Sequence, residues 1–106
     1  MKRYLLNSPV LTDYGVWRLD GPLSIDEART WMGEAFDSAI GHEGTVRLMS
    51  RLLGHAIPVN RQRVSMQAGD QALVFRLLDR LPEGAVLEES VLDSLRWEFS
   101  LLTRLT

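Results

Sequence analysis

The chain contains no cysteine. That excludes disulfides, a thiolate nucleophile and cysteine-ligated zinc. Long apolar runs are missing too, and no stretch approaches the roughly 20 residues that a membrane-spanning helix needs. The opening MKRYLLNSPV is basic, but its apolar part is shorter than the hydrophobic region of a secretion signal. The expected location is therefore the cytoplasm, that of the host cell if the gene is viral, and no membrane partner is expected. A large excess of either charge is absent. The formal net charge of -2 argues against a general nucleic-acid coat protein, and duplex DNA is not an expected partner. There is no Walker loop, no Gly-x-Gly-x-x-Gly, no Gly-x-Ser-x-Gly, no internal repeat and no linker. The two histidines, His42 and His55, make a poor metal site, so no metal and no cofactor are expected.

What is present is the composition of a small globular protein. Its 106 residues are 45% hydrophobic and 25% charged, which suits one domain over 1–106 with a single core. Lys2 to Leu6 reads as a strand stopped by Asn7-Ser8-Pro9. Val16 to Leu19 reads as a short second strand, ended by Asp20-Gly21-Pro22. Ser24 and Glu27 form a capping box. Ile25, Ala28, Trp31, Met32, Ala35 and Phe36 then recur at helical spacing, which predicts a helix from Ile25 to Asp37. Val46, Met49, Leu52 and Leu53 give a second helix its buried stripe, and Gly54 ends it. Asn60 to Met66 alternates loosely, as an edge strand would. Gln71 to Leu78 is apolar on both faces and suits a central strand. Leu87 to Leu95 reads as a short third helix, and Trp97 to Leu105 as a last strand. The expected fold is α/β: one small domain, a mixed sheet of about five strands and about three helices.

Charge is distributed unevenly along this chain. Residues 47–80 carry six arginines, no lysine and two acids, while the remainder carries six basic and twelve acidic residues. Arginine binds phosphate bidentately and keeps its charge at any working pH. The central third therefore reads either as a local phosphate or carboxylate site or as a helix face and edge strand that carry arginines.

Gly41-His42-Glu43-Gly44-Thr45 stands just before the second helix. Backbone N–H groups at a helix start favour anions, and glycines let the backbone approach a ligand closely. A histidine there is suited to giving a proton to a leaving oxygen; the plainer alternative is a loop histidine filling a gap. Arg76 sits in the apolar central strand and needs an anionic partner, either a structural carboxylate or a ligand phosphate. Arg80 ends that strand and Glu83 follows in a turn, close enough to share a site or to be two surface charges. The protein offers no obvious nucleophile, so any phosphoryl chemistry is expected to use one from the substrate.

Short motifs in one order carry a resemblance over most of the chain. They are Tyr4-Leu5-Leu6-Asn7-Ser8, Ser38-Ala39-Ile40-Gly41-His42-Glu43, Ile57-Pro58-Val59-Asn60-Arg61 and Gly69-Asp70. Ala72-Leu73-Val74-Phe75-Arg76-Leu77, Arg80-Leu81-Pro82-Glu83-Gly84 and Leu101-Leu102-Thr103-Arg104-Leu105 continue it. Together they resemble a small viral and bacterial family, first classed as a domain of unknown function, that includes the anti-CRISPR ring nucleases of type III immunity. The resemblance implies a homodimer that binds cyclic tetra-adenylate and cuts it without metal. In such enzymes the ribose 2′-OH attacks the adjacent phosphorus, and the products are linear di-adenylates ending in a 2′,3′-cyclic phosphate. It further implies His42 as general acid, with Arg80 and Glu83 beside it in the catalytic set. For substrate binding it implies Asn7, Ser8, Asn60 and Arg61; Gly41 and Thr45 at the helix start and Arg76 join them as binding candidates. Gly44 stands where many relatives have a polar residue, which removes one possible hydroxyl donor. The alternative from a different class is a non-catalytic dimeric regulator that holds a cyclic oligonucleotide or a nucleic acid.

Overall fold

The computed structural model describes residues 1–79 and 95–106. In chain order the elements are β1 (Arg3–Leu6), β2 (Trp17–Leu23), α1 (Ile25–Trp31), β3 (Asp37–Ser38), α2 (Glu43–Leu53), β4 (Gln71–Leu77) and β5 (Trp97–Arg104). The five strands form one sheet in the order β2-β5-β4-β1-β3. β1 runs parallel to β3 and β4, and β5 is antiparallel to β2 and β4. The architecture is thus a small α/β domain with a mixed sheet and, among the described residues, two helices.

The sheet is covered on both faces. Leu5, Leu73, Phe75 and Phe99 face α1 and α2 and pack with Ala28, Val46, Leu48, Met49 and Leu53. Tyr4, Leu6, Ala72, Val74 and Leu102 face the other way and pack with Met66. Side chains alternate along a strand, so a strand covered on both sides must be apolar throughout. β4 meets that condition at the centre of the sheet. Each fully buried large side chain here stabilises the fold by about 1.5–3 kcal/mol relative to exposure.

Helix α1 begins as expected. Ser24 Oγ accepts from the Glu27 amide at 3.1 Å, and Glu27 Oε1 accepts from the Ser24 amide at 3.1 Å. It ends at Trp31 with Met32 as its cap, short of the expected Asp37. Gly33 is a poor helix former, and Asp37–Ser38 is recruited as β3 beside β1. The helical spacing of Ala35 and Phe36 therefore does not mark helix. Strand β2 runs on through Gly21 and Pro22 to Leu23, where the sequence suggests a stop. It lies on the sheet edge, where proline leaves no ladder bond unmade, and its register shifts between Asp20 and Leu23.

Residues 60–66 do not form the expected edge strand. They strap across the far face, where Val64 and Met66 join the packing. The fifth strand is instead the two-residue β3. Gly54 ends α2 in the left-handed region at φ 63°. The expected helix at Leu87 to Leu95 lies, but for its last residue, outside the described residues, and Leu95 is not helical. Among the described residues no helix is long and apolar enough to cross a membrane.

Candidate functional site

Because β1, β3 and β4 are parallel, their carboxyl ends share one edge of the sheet. In open α/β sheets that edge is where ligands gather. Asn7 and Ser8 continue β1 there, and Ala39 continues β3. With Thr12, Gln62 and Arg63 they line a cleft of about 420 Å³, and among the described residues that line it there is no carboxylate. The donors of Asn7, Ser8, Gln62 and Arg63 suit an anionic or polar ligand.

The segment leading from β3 to α2 is tied from two sides. The Ala39 amide donates to Leu5 O of β1 at 3.0 Å, and the Asn60 amide donates to Ile40 O at 2.9 Å. The Asn60 and Gln62 side-chain amides both donate to Ser38 O, at 2.9 and 2.7 Å. The strap at 60–62 thus works as an outer brace. Arg61 crosses directly over Gly41: a Cβ on residue 41 would fall 2.8 Å from its Cβ and Cγ. Glycine is required here by close approach rather than by backbone angles. Arg61 and Arg63 are both exposed, and among the described residues neither pairs with a carboxylate.

His42 is the N-cap of α2. Its Nδ1 accepts the Thr45 amide hydrogen at 3.2 Å, and Thr45 Oγ1 lies 3.3 Å from the same nitrogen. An amide N–H can only donate, so Nδ1 of the neutral ring must be the acceptor and Nε2 must carry the hydrogen. Thr45 is buried and both of its polar groups turn to His42. The helix start is therefore capped by His42 itself, and Thr45 holds that histidine instead of facing a phosphate directly.

The predicted residues fall into three groups. Asn7 and Ser8 line the cleft. Gly41, His42, Asn60 and Arg61 form the braced segment beside it, and Asn60 serves through its bond to Ser38. Arg76 is elsewhere. It lies opposite Glu98 on β5 and pairs with it at 3.2 Å on the solvent-facing part of the sheet. Its partner is thus a structural carboxylate. Arg80 and Glu83 lie outside the described residues. β4 ends at Leu77 on the same sheet edge as the cleft, and the chain enters residues 80–94 from there.

Sequence reading missed Gln62 and Arg63 as cleft residues. Their signal was faint: the two-residue spacing from Asn60 and the arginine count of the central third. Asp79, just after β4, and Arg96, just before β5, bond to each other. Arg96 Nη2 and its backbone amide bond to the Asp79 carboxylate at 2.8 and 2.7 Å. These bonds, the side-chain one first, hold the Asp79 carboxyl below its usual range and raise Arg96. Among the described residues no group of three or more His, Asp or Glu is placed to hold a metal ion.

The geometry has known relatives. The STIV B116-like family model matches residues 3–101. The uncharacterized protein YddF of Bacillus subtilis is 33% identical over 108 residues, covering 99% of each chain. Uncharacterized protein 26 of Sulfolobus islandicus filamentous virus is 34% identical over 91 residues, covering 80% of this chain and 75% of its own. Uncharacterized protein ORF117 of Acidianus two-tailed virus is 50% identical over 52 residues, covering 49% of this chain and 44% of its own. The solved structure of B116 of Sulfolobus turreted icosahedral virus superposes with a TM-score of 0.77 at 26% identity, covering 98% of this chain and 100% of that one. The chain belongs to the STIV B116-like family.

Proposed function

We propose that this protein is a metal-independent ring nuclease that opens cyclic tetra-adenylate and so switches off or disarms type III CRISPR signalling. The observation that carries the reading is the arrangement at the carboxyl edge of the parallel strands. A cleft lined by Asn7, Ser8, Gln62 and Arg63, with no carboxylate among its described lining residues, lies beside a braced segment. That segment presents His42 with Nδ1 occupied, and Nε2 has no partner among the described residues.

In this mechanism the substrate supplies the nucleophile. A ribose 2′-oxygen forms a bond to the adjacent phosphorus and releases its proton to solvent. The bond from phosphorus to the 5′ oxygen breaks, and the leaving oxygen takes a proton from Nε2 of the charged His42 ring. Two such events on one ring give two linear di-adenylates, each with a 2′,3′-cyclic phosphate. Positioned acid catalysis is worth roughly 10²–10⁴-fold. Arg61 and Arg63 hold phosphates by charge and hydrogen bonding, and Asn7 and Ser8 bind polar edges of the ligand. Arg80 and Glu83 join the site in this reading as the resemblance implies. A homodimer fits it as well, because two identical sites match a ring with two-fold symmetry.

A second reading is a cyclic-oligonucleotide-binding protein without catalysis. The capping bond from His42 favours it, since that bond alone accounts for a histidine at this position. One experiment separates the two. Purified protein and a His42→Asn variant are incubated with cyclic tetra-adenylate in EDTA, and the products are resolved by chromatography. Cleavage by the wild type alone supports the nuclease. An intact ring that stays bound sinks the catalytic claim and leaves the binder. Absence of binding overturns both.

A further inference from the structure

An imidazole that gives up a proton must first carry two. In the neutral ring Nδ1 accepts from the Thr45 amide at 3.2 Å. When the ring takes its second proton, that proton goes on Nδ1 and meets an amide N–H that cannot accept it. The charged ring therefore needs a different partner at the same nitrogen. Thr45 Oγ1, 3.3 Å from Nδ1, is the one atom among the described residues so placed that both donates and accepts.

We infer that Thr45 is the positioning residue of His42: its hydroxyl donates to Nδ1 of the neutral ring, rotates to accept Nδ1–H of the charged ring, and leaves Nε2 as the atom facing a ligand. Thr45 is suited to this because it is held still. It is 7% exposed within the first turn of α2, and the neighbouring Val46 and Leu48 anchor that helix in the core. The charges near the ring do not replace it. Glu43 is turned to Arg47 at 3.9 Å, and the stem of Arg61 crosses Gly41. The role in proton delivery rests on the nuclease reading, whereas the hold on the ring does not.

The test uses the full chain with ¹⁵N-labelled histidine, together with Thr45→Ser and Thr45→Val. In the wild type, two-bond ¹H–¹⁵N spectra of the neutral His42 ring show the hydrogen on Nε2. Spectra of the charged ring at acidic pH show an Nδ1–H that exchanges slowly with solvent. Thr45→Ser keeps that slow proton and Thr45→Val loses it. With cyclic tetra-adenylate as substrate, Thr45→Val lowers kcat about ten-fold with KM within about two-fold, since it alters proton delivery and not ring binding. Thr45→Ser restores most of the rate. A neutral ring protonated on Nδ1, or an Nδ1–H equally protected in Thr45→Val, overturns the inference. Spectra as expected from a protein that leaves the ring nucleotide intact overturn the nuclease reading and uphold the hold of Thr45 on His42.

Discussion

Gly41 lies beneath Arg61 so closely that a Cβ on residue 41 would stand 2.8 Å from two carbons of the arginine stem. Those carbons, Cβ and Cγ, belong to the near end of the side chain and cannot swing away without moving the strap. Gly41→Ala is therefore expected to push residues 60–62 off the β3–α2 segment. Overpacking of this kind costs about 1–3 kcal/mol, read by urea denaturation. In the proposed reaction, ring cleavage should fall by more than the loss of folded protein explains, because Arg61, the phosphate-holding residue of that proposal, moves with the strap.

His42 has two separable tasks, capping α2 and, in the proposed reaction, donating a proton. Asparagine caps helices well, whereas alanine does not. His42→Ala should lose about 0.5–2 kcal/mol of stability, and His42→Asn much less, in paired thermal melts. Both should abolish cleavage of cyclic tetra-adenylate. If His42→Asn cleaves at the wild-type rate, the histidine is a cap only.

Arg63 faces the cleft without a described carboxylate partner, while Arg76 is paired with Glu98. In a His42→Asn background, Arg63→Ala should weaken binding of cyclic tetra-adenylate about ten-fold and flatten its salt dependence, as lost phosphate contacts do. Arg76→Ala should shift the affinity by no more than about two-fold, in line with an exposed ion pair. Isothermal titration at two salt concentrations distinguishes the two arginines.

Asp70 is a buried carboxylate that accepts from the amides of Lys2 and Gln67, both at 2.8 Å. It fixes the turn before β4 to the start of β1. Asp70→Ala leaves both donors without their acceptor, and the expected loss is about 2–4 kcal/mol, measured by urea unfolding.

The Asp79–Arg96 pair is expected to be acid-sensitive. The folded-state pKa of Asp79 is depressed below its ordinary 3.8. Its contribution to stability is therefore fully present above that value and is lost as pH falls through the folded-state value. The gap in Tm between wild type and Asp79→Asn should stay constant from neutral pH down to about pH 5 and close below about pH 4. A gap that widens on acidification would contradict the assignment.

Much of the fold was legible because it is written in local chemistry. The capping box at Ser24 and Glu27 needs only its own backbone. Gly54 ends α2 because it accepts a left-handed conformation. The apolar run from Gln71 declares a strand buried on both sides, and β4 is the strand between β1 and β5. A helix start near His42 was legible too, but the sequence places Gly41 to Thr45 before the helix, whereas α2 already begins at Glu43 with His42 as its cap.

Tertiary structure decided what depends on partners distant in the chain. Asp37–Ser38 is a strand only because β1 offers free edge groups to it, and no pattern in two residues announces that. Residues 60–66 alternate like a strand, yet they brace Ser38 and Ile40 across the sheet edge. Arg76 was readable as a charge in need of a partner, but naming Glu98 required the register of β4 against β5. Thr45 reads as a helix-start residue open to a ligand, and only the folded ring of His42 above it shows where its hydrogen bonds go. The sequence by itself determined the α/β class, the central strand, the start of α1 and the presence of a second helix after His42, because propensity, capping and periodicity act over a few residues. Which strands meet, which carboxylate neutralises which arginine and which residues line the cleft were decided by long-range packing, where each contact exists only once the others have formed.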